Sequence, residues 1–232
     1  MLVARLLIGS VLLLLAEGSD LFRRFERSVC DTTKLMSCYE DYFGHFGISA
    51  RPFPSYDHFV GRMEMYMSNE PTLARPTLCS WHRTLARCLA PTLERACISR
   101  QSLRTAVAGI SDSDAFNYAL LFETNQYECG DGFRTVTDYI DCLEEVRTCD
   151  RSEVEASVQG CTNTRTSEVR GLSGDERKCK VERITNECLI RFGVSRCGKA
   201  VEKYYCKIQE FVSRKRIFED PSICTEAFRC YL

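Results

Sequence analysis

The sequence predicts an all-α fold, two related disulfide-stapled helical units after a cleaved signal peptide. Three observations carry this reading. Apolar residues recur at i, i+3 and i+4, the period of a helix that buries one face. Alternating runs of Val, Ile and Thr, the mark of strands, are scarce. The 15 cysteines fall into a spacing that the chain uses twice.

The first residues set the compartment. Arg5 is followed by an apolar run from Leu6 through Ala16, broken only by Gly9 and Ser10, and then by Ala16-Glu17-Gly18. Small residues stand at the two positions a signal peptidase reads, so residues 1–18 are expected to leave before Ser19. The run is too short to cross a bilayer core of ~30 Å, and no later stretch approaches ~18 uncharged apolar residues. The chain is therefore expected to be secreted, with no membrane span. In that setting its cysteines, from Cys30 to Cys230, read as a disulfide framework rather than as thiols or metal ligands.

Within the framework, Cys79, Cys88 and Cys97 are spaced C-x8-C-x8-C, and Cys179, Cys188 and Cys197 repeat that spacing one hundred residues later. Upstream, Cys30-x7-Cys38 corresponds to Cys142-x6-Cys149. Downstream, Phe122-Glu123 before Cys129 corresponds to Phe218-Glu219 before Cys224. Anchors in one order argue for duplication, giving unit 1 over residues 22–134 and unit 2 over residues 135–232. Cys161, Cys206 and Cys230 are extras of unit 2. The cysteine count is odd, so one sulfur is free or bonded to another chain, and it is expected among those three.

Helical periodicity fills the intervals. Leu35, Met36, Cys38, Tyr39, Tyr42 and Phe43 share a face, as do Phe59, Val60, Met63 and Met67 after the Pro54-Ser55 start signal. A further helix begins at Ser111-Asp112-Ser113-Asp114. Pro91 and Gly193 fall between the second and third cysteines of their triplets and predict a short helix, a turn and a second helix in each. Loops are expected from Gly44 to Tyr56 and from Thr162 to Gly174.

Catalytic and cofactor signals are weak. The three histidines, His45, His58 and His82, hold no metal spacing, and no C-x2-C pair exists. Cys79-Ser80-Trp81-His82 places a thiol beside an imidazole, yet Cys79 has a counterpart in the repeat and reads as bridged. No G-x-S-x-G, P-loop or G-x-G-x-x-G occurs. No enzyme activity, metal or cofactor is expected. A net charge of −1 and a pI near 6.3 give no global case for nucleic acid or an anionic membrane surface. Arg214-Lys215-Arg216 is a short basic run, a solvated helix face or a contact for sulfated glycans.

One polar motif stands out. Gly171-Leu172-Ser173-Gly174-Asp175-Glu176 holds the single Ser-Gly dipeptide of the chain. Xylosyl transfer, which starts a glycosaminoglycan chain, needs an exposed Ser followed by a small residue and is favoured by neighbouring acids. Asp175 and Glu176 equally suit the first turn of a helix.

Cys30-x7-Cys38, Cys79-x8-Cys88-x8-Cys97, the Phe-rich stretch before Cys129 and Lys178-Cys179 through Cys197-Gly198 together resemble secreted, cysteine-rich nematode families. The likeness is greatest to the chondroitin-proteoglycan type of domain; a related nematode secreted domain of unknown function is the other match. The resemblance covers most of the mature chain. It implies a matrix or eggshell-like role, with chondroitin on Ser-Gly sites, of which this chain offers Ser173. The expected function is a non-enzymatic, matrix-associated or glycan-bearing protein. The alternative is a soluble ligand-binding or signalling module built like helical growth-factor receptor domains. The expected partner is an extracellular protein or glycan, with an intermolecular disulfide through Cys161, Cys206 or Cys230.

Overall fold

The computed structural model describes residues 30–69, 71–219, 228 and 230. The signal segment over residues 1–18 and Cys224 lie outside them. The described chain is helical, with no strand. Helix α1 spans Thr32–Gly44 and starts where the Asp31 side chain accepts the Lys34 N–H at 3.0 Å. After the expected loop, α2 spans Tyr56–Asn69, its first turn capped by Ser55, which accepts the His58 N–H at 3.3 Å. Helix α3 spans Pro71–Cys97, α4 Arg100–Ala106 and α5 Asp112–Glu128. The predicted start of α5 is a reciprocal cap: Ser111 accepts the Asp114 N–H at 3.0 Å and donates to the Asp114 carboxylate at 2.7 Å.

The first half encloses the main core. Side chains from α1, α2, α3 and α5 close over an aromatic cluster of Tyr39, Tyr42, Phe43, Phe46, Phe59 and Tyr118, all buried. Their rings meet edge-on or tilted, Phe43 lying 5.1 Å from Phe59 and 5.9 Å from Tyr118. Such pairs add ~0.5–1.5 kcal/mol each to the burial of the rings. Tyr118 keeps its hydroxyl satisfied by donating to the Pro54 carbonyl at 3.2 Å. Cys38–Cys88 ties α1 to α3, and Cys30–Cys97 and Cys79–Cys129 close the same half.

The second half is made of α6 (Phe133–Asp138), α7 (Ile140–Thr148), α8 (Arg151–Thr164), a 3-10 turn over Thr166–Val169, and α9 (Gly174–Cys197). A second 3-10 turn, Lys199–Val201, leads into α10 (Glu202–Glu219), which packs back along α9. Its buried cluster is small: Val136, Leu143, Val201 and Tyr204. Ile184, Ile190 and Phe192 of α9 are buried as well, and the cross-links Cys142–Cys197, Cys161–Cys188 and Cys206–Cys230 add ~2–4 kcal/mol each by constraining the unfolded chain.

Charge joins the halves. Arg75 of α3, with 8 % of its side chain exposed, donates to Glu128 of α5 at 2.8 Å and to Glu144 of α7 at 3.1 Å. Tyr204 of α10 donates to the other Glu128 oxygen at 2.6 Å, and Arg147 of α7 reaches Glu144 at 3.4 Å. Burial and the Glu128 carboxylate push the Tyr204 hydroxyl well above its ordinary range, so it stays protonated and remains a donor.

The structure bears out one expected helix break and corrects two other expectations. Pro91 does mark a break, because the residue before a proline is driven from the helical region: Ala90 has φ 53° and ψ 157°. Gly193 marks none, and α9 runs unbroken to Cys197. A Cβ at Gly193 would sit 2.3 Å from the Tyr205 ring, so this glycine lets α10 approach α9. The loop expected from Thr162 to Gly174 is also shorter, since α8 runs to Thr164 and the 3-10 turn follows.

Candidate functional site

The cysteine frame decides which sulfurs are available for chemistry. Cys97 bonds Cys30 and Cys197 bonds Cys142, so these two equivalent positions have equivalent partners. Cys88 bonds Cys38, but Cys188 bonds Cys161, not Cys149. Cys161, Cys206 and Cys230 are all bridged, and the free thiol among the described residues is Cys149. The odd sulfur is thus not among the three extras. The physical reason lies in α7, which ends at Thr148. The backbone turns extended at Cys149 (ψ 141°), so this residue leaves the helix face that would reach α9. Helix α8 packs on α9 instead and presents Cys161 there. The Cys149 thiol donates to Glu153 at 2.9 Å. Cys179 is disulfide-bonded, and its expected counterpart to Cys129, Cys224, lies outside the described residues.

The Cys79-Ser80-Trp81-His82 group comes apart as chemistry. Cys79 is bridged to Cys129, so no thiol stands beside the imidazole. His82 is buried, 5.0 Å from the Phe122 ring, and neither ring nitrogen has a hydrogen-bond partner among the described residues. Burial, helped by the neighbouring Arg83 charge, lowers its pKa to about 4, so the ring is neutral at physiological pH. Trp81 is half-buried and stacks on the exposed His45 with centroids 4.3 Å apart. His58 is exposed on α2. Among the described residues no group of three or more His, Cys, Asp or Glu is placed to hold a metal ion. No described helix is long and apolar enough to cross a membrane.

Ser173 occupies the N-cap position of α9, in extended backbone with φ −131° and ψ 162°. A serine there ordinarily accepts an N–H from the first turn. Ser173 makes no such side-chain bond and is exposed. Gly171 at φ 85° and Gly174 at φ 53° flank it in the left-handed region, where a residue with a Cβ would be strained. Nothing lies within 4 Å of where a Cβ on either glycine would be. Asp175 and Glu176 follow at the exposed first turn, where their charge complements the helix N-terminus; Asp175 also pairs with Lys178 at 3.5 Å. The result is an open Ser-Gly-Asp-Glu segment whose hydroxyl is uncommitted.

The Arg214-Lys215-Arg216 run sits near the end of α10. There Arg214 and Lys215 each reach Glu123 of α5 at 3.0 Å. Sequence spacing gives no sign of that pairing, which joins residues about ninety positions apart.

Comparisons of the chain with protein-family models, with curated proteins and with solved structures each find no match.

Proposed function

We propose that this is a secreted, non-enzymatic, matrix-associated protein that bears a glycosaminoglycan chain on Ser173. The observation that carries the reading is the uncommitted hydroxyl of an exposed serine, held in extended backbone between two left-handed glycines and followed by two acids. A glycosyltransferase must draw the acceptor backbone into its own cleft. A segment without neighbouring side chains, with a glycine directly after the serine, meets that demand at little conformational cost. The abundant cystines support an oxidising compartment. The bridging of Cys79 supports a non-catalytic reading, because it removes the one nucleophile the sequence places near a base.

The test is electrophoresis of the protein secreted by its own tissue, with and without chondroitinase. A diffuse, slow band should sharpen on digestion, and Ser173→Ala should produce the sharp band without enzyme. A protein that runs sharply at its calculated mass before digestion overturns the reading.

A further inference from the structure

The fold gives the basic run on α10 a setting that no linear reading of the chain contains. Arg214 and Lys215 face Arg95, Arg100 and Arg104 from the end of α3 and from α4, across a cleft of about 920 Å³. Lys215 also donates to the Ile98 carbonyl at 3.4 Å, which fixes α10 against the end of α3. Five cations therefore converge from two halves of the chain on one concavity.

Among the described residues of the lining, two carboxylates face these five cations. Asp112 is shared by Arg100 and Arg104, the latter at 3.0 Å. Glu123 is shared by Arg214 and Lys215. Arg95 has no acidic partner among the described residues; its Nε donates to the Pro91 carbonyl at 3.0 Å. Each carboxylate thus holds two cations in place and cancels one of them, and Arg95 adds its own charge. Among the described residues that line the cleft, cations outnumber carboxylates by five to two, in a protein whose net charge is −1. Charge of one sign in a concavity focuses the field and draws in anions. Guanidinium groups add planar forks that match sulfate and carboxylate oxygens two bonds at a time.

We propose that this cleft binds a sulfated glycosaminoglycan oligosaccharide. Its volume lies in the range of ~300–1,000 Å³ that suits a small bound molecule, here a few sugar units. Ser99, Gln101 and Thr105 line it alongside the cations and can bond sugar hydroxyls. No aromatic ring is among the described residues that line it, so these offer no stacking platform of the kind on which single-stranded nucleic acid depends. The proposal rests on the extracellular reading but not on Ser173, because the cleft binds such a chain whichever molecule carries it.

The experiment is calorimetric titration of the full-length secreted protein with a chondroitin sulfate tetrasaccharide, with its desulfated form, and with an oligonucleotide of equal charge. The sulfated sugar should bind, and its affinity should fall as salt is raised. The double variant Arg95→Ala/Arg104→Ala should bind roughly tenfold more weakly, or less, as expected for lost charge-assisted contacts. Arg95→Glu alone, which breaks no ion pair among the described residues, should repeat the loss while melting like the parent. Arg191→Ala, exposed on α9, should leave affinity unchanged, and so should Ser173→Ala, which separates this proposal from the glycan-attachment reading. Equal binding of the desulfated sugar, tighter binding of the oligonucleotide, or undiminished affinity in Arg95→Glu overturns the proposal.

Discussion

His82 shows how little a residue's identity says without its surroundings. In sequence it neighbours a cysteine and a tryptophan, and those three together resemble a reactive group. In the structure it is a neutral ring sealed against Phe122 with no polar partner among the described residues. That burial has a pH signature. The unfolded chain's imidazole titrates near 6.5 and the folded one near 4, so unfolding takes up a proton between those values. Stability is full above about pH 6.5 and declines as pH falls toward 4, by about 3 kcal/mol in total. Denaturant unfolding of the parent and of His82→Leu, followed across this range, should show the parent losing that much more. Parallel curves would mean that His82 is charged or solvated in the native state. Cys149 teaches the same lesson in reverse: it looks paired by spacing and is free because one backbone turn takes it off its helix.

At the scale of elements, helix starts are where local chemistry decides. Asp31, Ser55, Ser99 and Ser111 each accept an N–H of the first turn, an exchange between near neighbours that a sequence states directly. Helix interruptions depend on what lies opposite. Pro91 breaks α3 through its own ring, whereas Gly193 is tolerated within α9 because the space a side chain would fill belongs to Tyr205. Gly193→Ala should therefore destabilise the α9–α10 pair by about 1–3 kcal/mol, overpacking outweighing the ~1 kcal/mol that alanine gains in helix propensity. Thermal unfolding monitored by circular dichroism checks the sign. A raised melting temperature would show that Tyr205 moves aside freely.

Across the whole molecule, the junction of the halves combines a buried charge network with aromatic packing of Tyr127 on Tyr204 and Phe211. Arg75, Glu128, Glu144 and Tyr204 come from four helices and meet where water is largely excluded. A buried network of this kind adds little over a hydrophobic packing of equal volume. Removing one member, however, strands the others without water or a counter-charge. Arg75→Ala leaves Glu128, 3 % exposed, with its nearest cation gone, and should cost about 3–5 kcal/mol. Urea unfolding gives the number, and a loss under 1 kcal/mol would show that Arg147 takes over the charge. The same juxtaposition of halves places Arg214 and Lys215 over the arginines of α3 and α4, so the cleft exists only when the halves are docked.

What the sequence determined by itself is local or periodic: the helical class, the caps at Ser55 and Ser111, and the break at Pro91. Each follows from residues within a few positions of one another, whose backbone preferences and hydrogen bonds need no distant partner. Tertiary structure alone decided which sulfur stays free, why Gly193 is a glycine, and how five cations separated by up to 120 positions come to face one cleft. Those outcomes depend on which helix faces meet. Packing sets that by burying aromatic rings in one half and by pairing Arg75 with Glu144, and Glu128 with Tyr204, between halves, and neither leaves a periodic mark along the chain.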